Sequence, residues 1–316
     1  MQDETALKMA GALNLELSPR DKEGVQRKYT QNLQAYEAFL RGRSLMAYYE
    51  DSPDKLEEAG RHFEEALKLD PNYAPALAGL CGVELYYYRD IDSSPSRLQR
   101  GEELAKRAQA IDPEFAEAHL AQAWVLGLKY DYVGAAQEAE KATQLEPGNA
   151  YAWDILAWTL AYQQPPDALG AEKAAREAIR LQLDSVGVQY HLGRALLLQG
   201  RYQEAVAAFN HGAELSPASG LPPLGLTQAY LSQGDYKRAI DTVSNKWMAR
   251  TAIGKFWLSS AYAAHGDKEK ALDVLQQAFA AKFRDFAALD ASPYFSSLRS
   301  DPRFIRLVSR YRNQQN

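Results

Sequence analysis

The sequence predicts an all-α protein, a solenoid of about seven helix–turn–helix repeats with capping helices. A small residue recurs roughly every 34 positions along the 316 residues. Each copy also brings the same neighbours, a filler side chain four residues later and, in most copies, another small residue three further on. Apolar residues within each copy follow the spacing of helices. The recurring small residues are Ala59, Gly101, Ala135, Ala171, Ala205, Ala239 and Ala271.

The copies share a core that can be written A-x3-F-x2-A-x4-P. The small residues are separated by 42, 34, 36, 34, 34 and 32 positions, and four copies end in Pro71, Pro113, Pro147 and Pro217. Over about residues 35–282 this pattern resembles the tetratricopeptide repeat (TPR) family. The resemblance implies a right-handed superhelix whose first helices line a concave groove, and it favours binding over catalysis.

Each period reads as two helices joined by a short turn. The first helix is apolar at helical spacing, as in Val188, Leu192 and Leu196. Gly200, Gly234 and Gly266 stand where a first helix must end, and we expect them to adopt the left-handed conformation that such an end often requires. Two of these turns read Gly-x-Tyr, and the second helix follows directly.

Several copies depart from the regular period. The first is interrupted at Asp51-Ser52-Pro53, and the second carries about eight extra residues, Arg89–Ser96, which we expect to form a loop. The fourth has Pro165-Pro166 between its helices, and the sixth ends irregularly at Asn245-Lys246-Trp247. Drifting end copies are typical of capping repeats.

The predicted organisation has three parts. Residues 1–34 form an amphipathic helix, around Ala6–Leu17, and a connector; residues 35–282 form the repeats; residues 283–316 form a capping segment with a last helix near Pro302–Tyr311. The N-terminal helix either caps the stack or occupies the groove, which is a known way for a helix to dock.

Composition restricts the partners. The net charge is −5, and no cluster of lysines and arginines follows one face, so we expect neither nucleic acid nor membrane as a partner. No stretch approaches the ~18 apolar residues that span a bilayer. The single Cys81 excludes an internal disulfide and suits a reducing compartment. We therefore expect a cytoplasmic protein.

No pattern indicates catalysis, a cofactor or a metal. The five histidines are scattered over different repeats without ligand spacing, and phosphate-binding, dinucleotide-binding and nucleophile-elbow motifs are absent from the sequence. Paired carboxylates such as Glu64-Glu65 fall on second helices, where a solvated face is expected. The prediction is a non-enzymatic protein without cofactor.

The inner face of the first helices is predicted to bind a protein or peptide. In the register of the repeats this face is unusually aromatic, and exposed aromatic clusters mark binding surfaces. Trp153 and Trp257 are expected in the core, whereas Trp124 and Trp158, at equivalent positions 34 residues apart, fit either core or groove. The predicted groove residues are Tyr86, Leu120, Trp124, Tyr151, Asp154, Trp158, Tyr162, Tyr190, Arg194, Gln228 and Phe256.

The two flanks resemble a narrower set of proteins. Bacterial multidomain signalling proteins have a C-terminal TPR region whose entering and closing segments are similar to stretches of this chain: Gln2–Thr5, Leu15–Ser18 and Asn32–Arg43 at the start, and Ser292–Phe304 at the end. These proteins include class III adenylate and guanylate cyclases and related winged-helix regulators and Ser/Thr kinases. The resemblance implies a regulatory module of a larger protein. Self-association, as a homo-oligomer, is the alternative, with the drifted last repeats or the Tyr86–Ser96 segment as the contact.

Overall fold

The computed structural model describes residues 30–46, 53–244 and 248–313 of the chain. Every regular element within these ranges is helical. The α-helices are α1 (Leu33–Met46), α2 (Pro53–Leu69), α3 (Ala74–Asp90), α4 (Pro95–Ile111), α5 (Ala116–Leu128), α6 (Tyr132–Leu145), α7 (Ala150–Tyr162), α8 (Ala168–Arg180), α9 (Val186–Leu198), α10 (Tyr202–Leu215), α11 (Leu221–Gln233), α12 (Tyr236–Val243), α13 (Ala252–His265), α14 (Lys268–Ala280), α15 (Phe286–Ala291) and α16 (Pro302–Arg312). Short 3-10 helices cover Met248–Arg250 and Pro293–Leu298.

Helices α1 to α14 form seven consecutive pairs, one for each predicted repeat. All seven recurring small residues lie on the second helix of a pair, and all are buried. A side chain of this size lets neighbouring helix axes approach closely. The seven-repeat helical fold predicted from the period is therefore confirmed.

The ends of the helices follow from particular residues. Gly200, Gly234 and Gly266 close first helices with φ of 74°, 77° and 94°, the left-handed conformation expected of them. Many second helices begin after an aspartate whose carboxylate accepts a hydrogen bond from a backbone N–H of the first turn, which is the favoured N-terminal cap. These aspartates are Asp131, Asp167, Asp235 and Asp267.

The described residues fall into two compact units, one ending at Lys129 and the other beginning at Tyr130. In the first unit the ring of Phe63 is buried between two first helices, where a Cβ added at Gly42 or Gly79 would come within 2.8 or 2.7 Å of it. Cys81 on α3 is also completely buried, and burial raises the pKa of its thiol.

The second unit repeats this packing. The ring of Phe209 on α10 is buried against Gly193 of α9 and Gly225 of α11. At the C-terminal end, Phe295 and Phe304 join the apolar cluster of the last repeat. The final helix, predicted near Pro302–Tyr311, runs from Pro302 to Arg312.

One irregular segment differs from expectation, and three other predicted segments lie outside the described ranges. The Arg89–Ser96 segment forms a four-residue connection and not an eight-residue loop. Helix α3 extends through Asp90 and α4 begins at Pro95, so half of the eight residues belong to these helices of 17 residues each. The amphipathic segment Ala6–Leu17, residues 51–52 and residues 245–247 lie outside the described residues. Among the helices that are described, none is long and apolar enough to cross a membrane.

Candidate functional site

An arginine stacked on a tyrosine lies at the centre of the candidate site. The guanidinium carbon of Arg194, on α9, is 3.8 Å from the ring centroid of Tyr162, at the end of α7. This distance is well within the range of a cation–π interaction. The two helices are the first helices of adjacent repeats and pack on each other. Both side chains are half-buried, so the pair has one side open to solvent.

Tyr132 extends the cluster towards the start of α6. Its ring centroid lies 5.5 Å from that of Tyr162 and 6.0 Å from that of Trp158, which it meets edge-on. Burial, with smaller contributions from Tyr162 and Tyr130, raises the pKa of its hydroxyl. We call Tyr132, Trp158, Tyr162 and Arg194 the aromatic face. Aromatic rings and arginine are the side chains that dominate binding energy in protein interfaces.

Tyr190 is a buried residue that packs beneath the solvent-exposed side of the aromatic face and contacts Tyr162. It is only 5% exposed, and its ring packs 5.8 Å from that of Phe209. Its hydroxyl oxygen is 3.4 Å from that of Tyr162, and the Gln228 side chain also interacts with it. Burial holds the pKa of Tyr190 well above its usual range. Its groove assignment therefore needs correction: the ring is buried and positions Tyr162.

A contact between a histidine and an aspartate lies one turn earlier on the same two helices. Nδ1 of His191 is 2.7 Å from Oδ1 of Asp154, and both side chains are largely shielded from solvent. This contact links α7 to α9 and engages one oxygen of the Asp154 carboxylate.

The first unit brings together two other predicted residues. The rings of Tyr86 and Trp124 meet edge-to-face with centroids 4.5 Å apart, and the guanidinium of Arg89 lies 4.9 Å from the ring centre of Tyr86. Both rings also pack against the buried cluster of this unit. Trp124 thus contributes to the core and keeps one edge at the surface.

Phe256 does not belong to any exposed surface. It is 2% exposed, and it stacks on Phe283 with centroids 4.5 Å apart and packs on Phe295. Both covering rings come from the segment after the last repeat. The position of Phe256 within its repeat therefore could not reveal that it is buried, and its prediction as a groove residue was wrong. Tyr151 is 64% exposed at the first turn of α7.

The tryptophans expected in the core are only partly buried. Trp153 is half-buried and donates a hydrogen bond from Nε1 to the carbonyl oxygen of Pro147 at 2.9 Å. Trp257 is half-buried against the last apolar cluster.

Sequence reasoning missed Tyr130 and Tyr132 because it searched only first helices. The signal was present in the turn: Tyr130-Asp131-Tyr132 stands where other copies read Gly200-Arg201-Tyr202 or Gly234-Asp235-Tyr236. Tyr130 keeps the left-handed conformation of the glycine it replaces, with φ of 64°, and its side chain is 81% exposed.

Family models assign the repeats in the second unit. Models described as tetratricopeptide repeat match residues 167–219 and 224–284, and a further one matches residues 196–245. The chain contains tetratricopeptide repeats. These TPR matches cover helices α8 to α14, and the helix pairs before them have the same arrangement of small residues.

Solved structures share the TPR fold. A tetratricopeptide repeat protein from Parabacteroides merdae superposes with a TM-score of 0.58 at 15% identity, over 82% of this chain and 97% of that one. Human IFIT1, solved as a dimer with m7Gppp-AAAA, gives a TM-score of 0.63 at 14% identity, over 99% of this chain and 69% of that one. Identities this low show the fold alone.

One curated relative is similar in sequence. Superkiller protein 3 of Schizosaccharomyces pombe is 26% identical over 200 residues, which make up 61% of this chain. The same region covers 14% of the relative, so the chain corresponds to a small part of that protein.

Proposed function

We propose that this chain is a non-catalytic scaffold that binds a protein or peptide through the aromatic face of its second unit. The observation that carries the proposal is the stacking of Arg194 on Tyr162 beside Trp158, on adjacent first helices and open to solvent on one side. The net charge of −5 supports a protein or peptide ligand over nucleic acid.

A test of this proposal uses a phage-displayed library of random 12-residue peptides selected on the purified full chain. We expect peptides selected on the wild type to bind Trp158→Ala at least tenfold more weakly, because the substitution removes a ring of the aromatic face. Trp153→Ala is the matched control, since it removes the same side chain from another face of α7. Affinities are measured by fluorescence anisotropy, and thermal melts of all variants check folding.

Two results would contradict the proposal. One is a library that yields no peptide above background on the wild-type chain. The other is equal loss of affinity in Trp158→Ala and Trp153→Ala, which would indicate that the aromatic face contributes nothing of its own.

The finer proposal is a regulatory module of a larger bacterial signalling protein, acting in the cytoplasm. The resemblance of Asn32–Arg43 and Ser292–Phe304 to the flanks of TPR regions in such proteins supports it. The coding sequence adjoining this region tests it directly: an adjacent cyclase, kinase or winged-helix domain is the expected result, and an unrelated neighbour would refute the assignment.

Self-association is the alternative. Ile91, within the Tyr86–Ser96 segment proposed as the contact, is a large apolar residue exposed in the connection between α3 and α4. Light scattering over a hundredfold range of concentration distinguishes the two: a mass that rises with concentration supports self-association, and a constant monomer mass excludes it.

A further inference from the structure

Arg194 differs from the arginines on and next to the neighbouring second helices in having no acidic partner among the described residues. Arg201 contacts Glu172 at 2.6 Å and Glu204 at 2.6 Å, and Arg176 contacts Glu172 at 2.8 Å. Arg194, by contrast, donates no hydrogen bond to any of the described residues, and its Nε is buried without a partner. A buried donor without an acceptor is unfavourable, and native proteins rarely leave one.

The acidic group nearest in the same pair of helices is already engaged. Asp154, on α7, is held by His191 at 2.7 Å, one turn before Arg194 on α9. Glu172 accepts from Arg176, Gln199 and Arg201, and these hydrogen bonds outweigh the effect of burial and lower its pKa to about 2. Glu172 thus accepts hydrogen bonds at both of its oxygens, one oxygen of Asp154 contacts His191, and neither carboxylate contacts Arg194. The positive charge of Arg194 is therefore not neutralised by a direct ion pair within its own cluster.

Tyr162 fixes the orientation of the guanidinium. A ring 3.8 Å from the guanidinium carbon covers one side of the group, and because Nε is buried, the two terminal nitrogens are the donors left for an incoming acceptor. A planar guanidinium held in this way suits a carboxylate, which accepts two parallel hydrogen bonds from it. Trp158 and Tyr132 then offer apolar surface to whatever residue adjoins the carboxylate.

We propose that Arg194 is the receptor for an acidic side chain, Asp or Glu, within a peptide segment whose neighbouring apolar residue packs on Trp158 and Tyr132. This inference rests on the proposed function and specifies its ligand: an internal acidic and apolar motif. The positive charge of Arg194, which forms no ion pair with any described residue, selects this occupant over a neutral peptide.

The experiment uses the same peptide library on the full chain. We expect selected peptides to be enriched in Asp or Glu beside aromatic or branched aliphatic residues. Replacing that Glu by Gln in a synthetic peptide lowers affinity at least tenfold on the wild type and less than twofold on Arg194→Gln. Amidation of the peptide's C-terminus leaves affinity unchanged, because the group recognised is a side chain.

Two further variants guard against a merely structural effect. Arg176→Gln removes the same charge from an exposed side chain on α8, and we expect it to retain the tenfold discrimination between the Glu and Gln peptides. Arg194→Lys keeps the charge but loses the planar pair of donors. We expect its ratio of affinities for the Glu and Gln peptides to lie between the ratio of the wild type and that of Arg194→Gln.

The outcomes separate this inference from the proposed function. Peptides that bind the aromatic face without a preference for Asp or Glu would overturn the acidic motif and leave the scaffold function intact. Affinity that disappears on C-terminal amidation would overturn it as well, in favour of a terminal carboxylate. A library that yields no peptide would overturn both.

Discussion

Tyr130 shows how a single residue departs from the rule that its repeat follows. Equivalent turns in other copies hold Gly200, Gly234 and Gly266, whereas Tyr130 adopts the same left-handed conformation with a side chain. For a residue with a Cβ this conformation costs roughly 1–2 kcal/mol. Its side chain is almost fully exposed, so burial does not compensate that cost.

We predict that Tyr130→Gly stabilises the protein. Relief of the left-handed strain is partly offset by the greater backbone entropy of glycine in the unfolded chain, so the free energy of unfolding rises by about 0.5–1 kcal/mol. Urea denaturation followed by circular dichroism measures the change. Tyr130→Ala is the control, because alanine keeps the strained Cβ; an equal gain in both variants would argue against the strain.

At the level of residues, the helical period predicted correctly that some of the candidate site residues lie on one face. Trp158, Tyr162 and Arg194 share a face because their spacing along first helices dictates it. The period could not separate exposed from covered positions, since burial of Phe256 depends on Phe283 and Phe295, which come from distant turns of the chain. Tyr190 was misplaced for a similar reason, because Phe209 covers it from a second helix.

At the level of helices, a phenylalanine ring of a second helix packs between the first helices of neighbouring repeats. Phe209, on α10, lies against α9 and α11 where both helices have glycine, so the backbones approach the ring directly. Phe63 makes the same arrangement with Gly42 and Gly79 in the first unit. The filler position and the glycines therefore form one packing unit.

We predict that Gly225→Ala destabilises the protein although alanine is the better helix former. Helix propensity favours alanine by about 1 kcal/mol, but the new Cβ would overlap the ring of Phe209, and overpacking costs about 1–3 kcal/mol. We therefore expect a net loss of about 1 kcal/mol in urea denaturation.

The double variant Phe209→Leu with Gly225→Ala tests the cause of that loss. Leucine leaves room for the added methyl group, so Gly225→Ala is expected to be less harmful in this background than in the wild type. A loss of the same size in both backgrounds would indicate a cause other than the ring.

Helix boundaries were predictable where local chemistry sets them. Gly200, Gly234 and Gly266 ended first helices as expected, because left-handed termini need no information from elsewhere in the chain. The Arg89–Ser96 segment was assigned correctly only in part: residues 91–94 form a connection, whereas residues up to Asp90 continue α3 and Pro95 starts α4. An insertion judged only by its length cannot reveal whether it extends the flanking helices.

At the scale of the whole molecule, stability is expected to be distributed repeat by repeat. In a repeat protein each unit contacts its neighbours, so a perturbation spreads over a short distance. The second unit ends with a segment that covers its last pair of helices: Phe295 packs on Phe304, and Tyr311 stacks on Phe279 of α14 with centroids 4.9 Å apart.

We predict that Phe304→Ala opens this end without affecting the first unit. Removing a buried phenylalanine costs about 3 kcal/mol, and hydrogen exchange measured by mass spectrometry is expected to accelerate in α13 and α14 while α3 is unchanged. Ile305→Ala is the control, since the adjacent side chain is half exposed. Faster exchange in α3 would show that the chain unfolds as one cooperative body.

The burial of Cys81 gives the first unit a built-in reporter. It is the one cysteine in the sequence, and its thiol lies on α3 within the core. A thiol reagent reaches it only when this region opens, so the labelling rate measures the opening equilibrium of the first unit in the unmodified protein. The same sample labelled with and without a bound peptide would reveal whether occupation of the aromatic face changes the motions of a part of the chain that lies outside it.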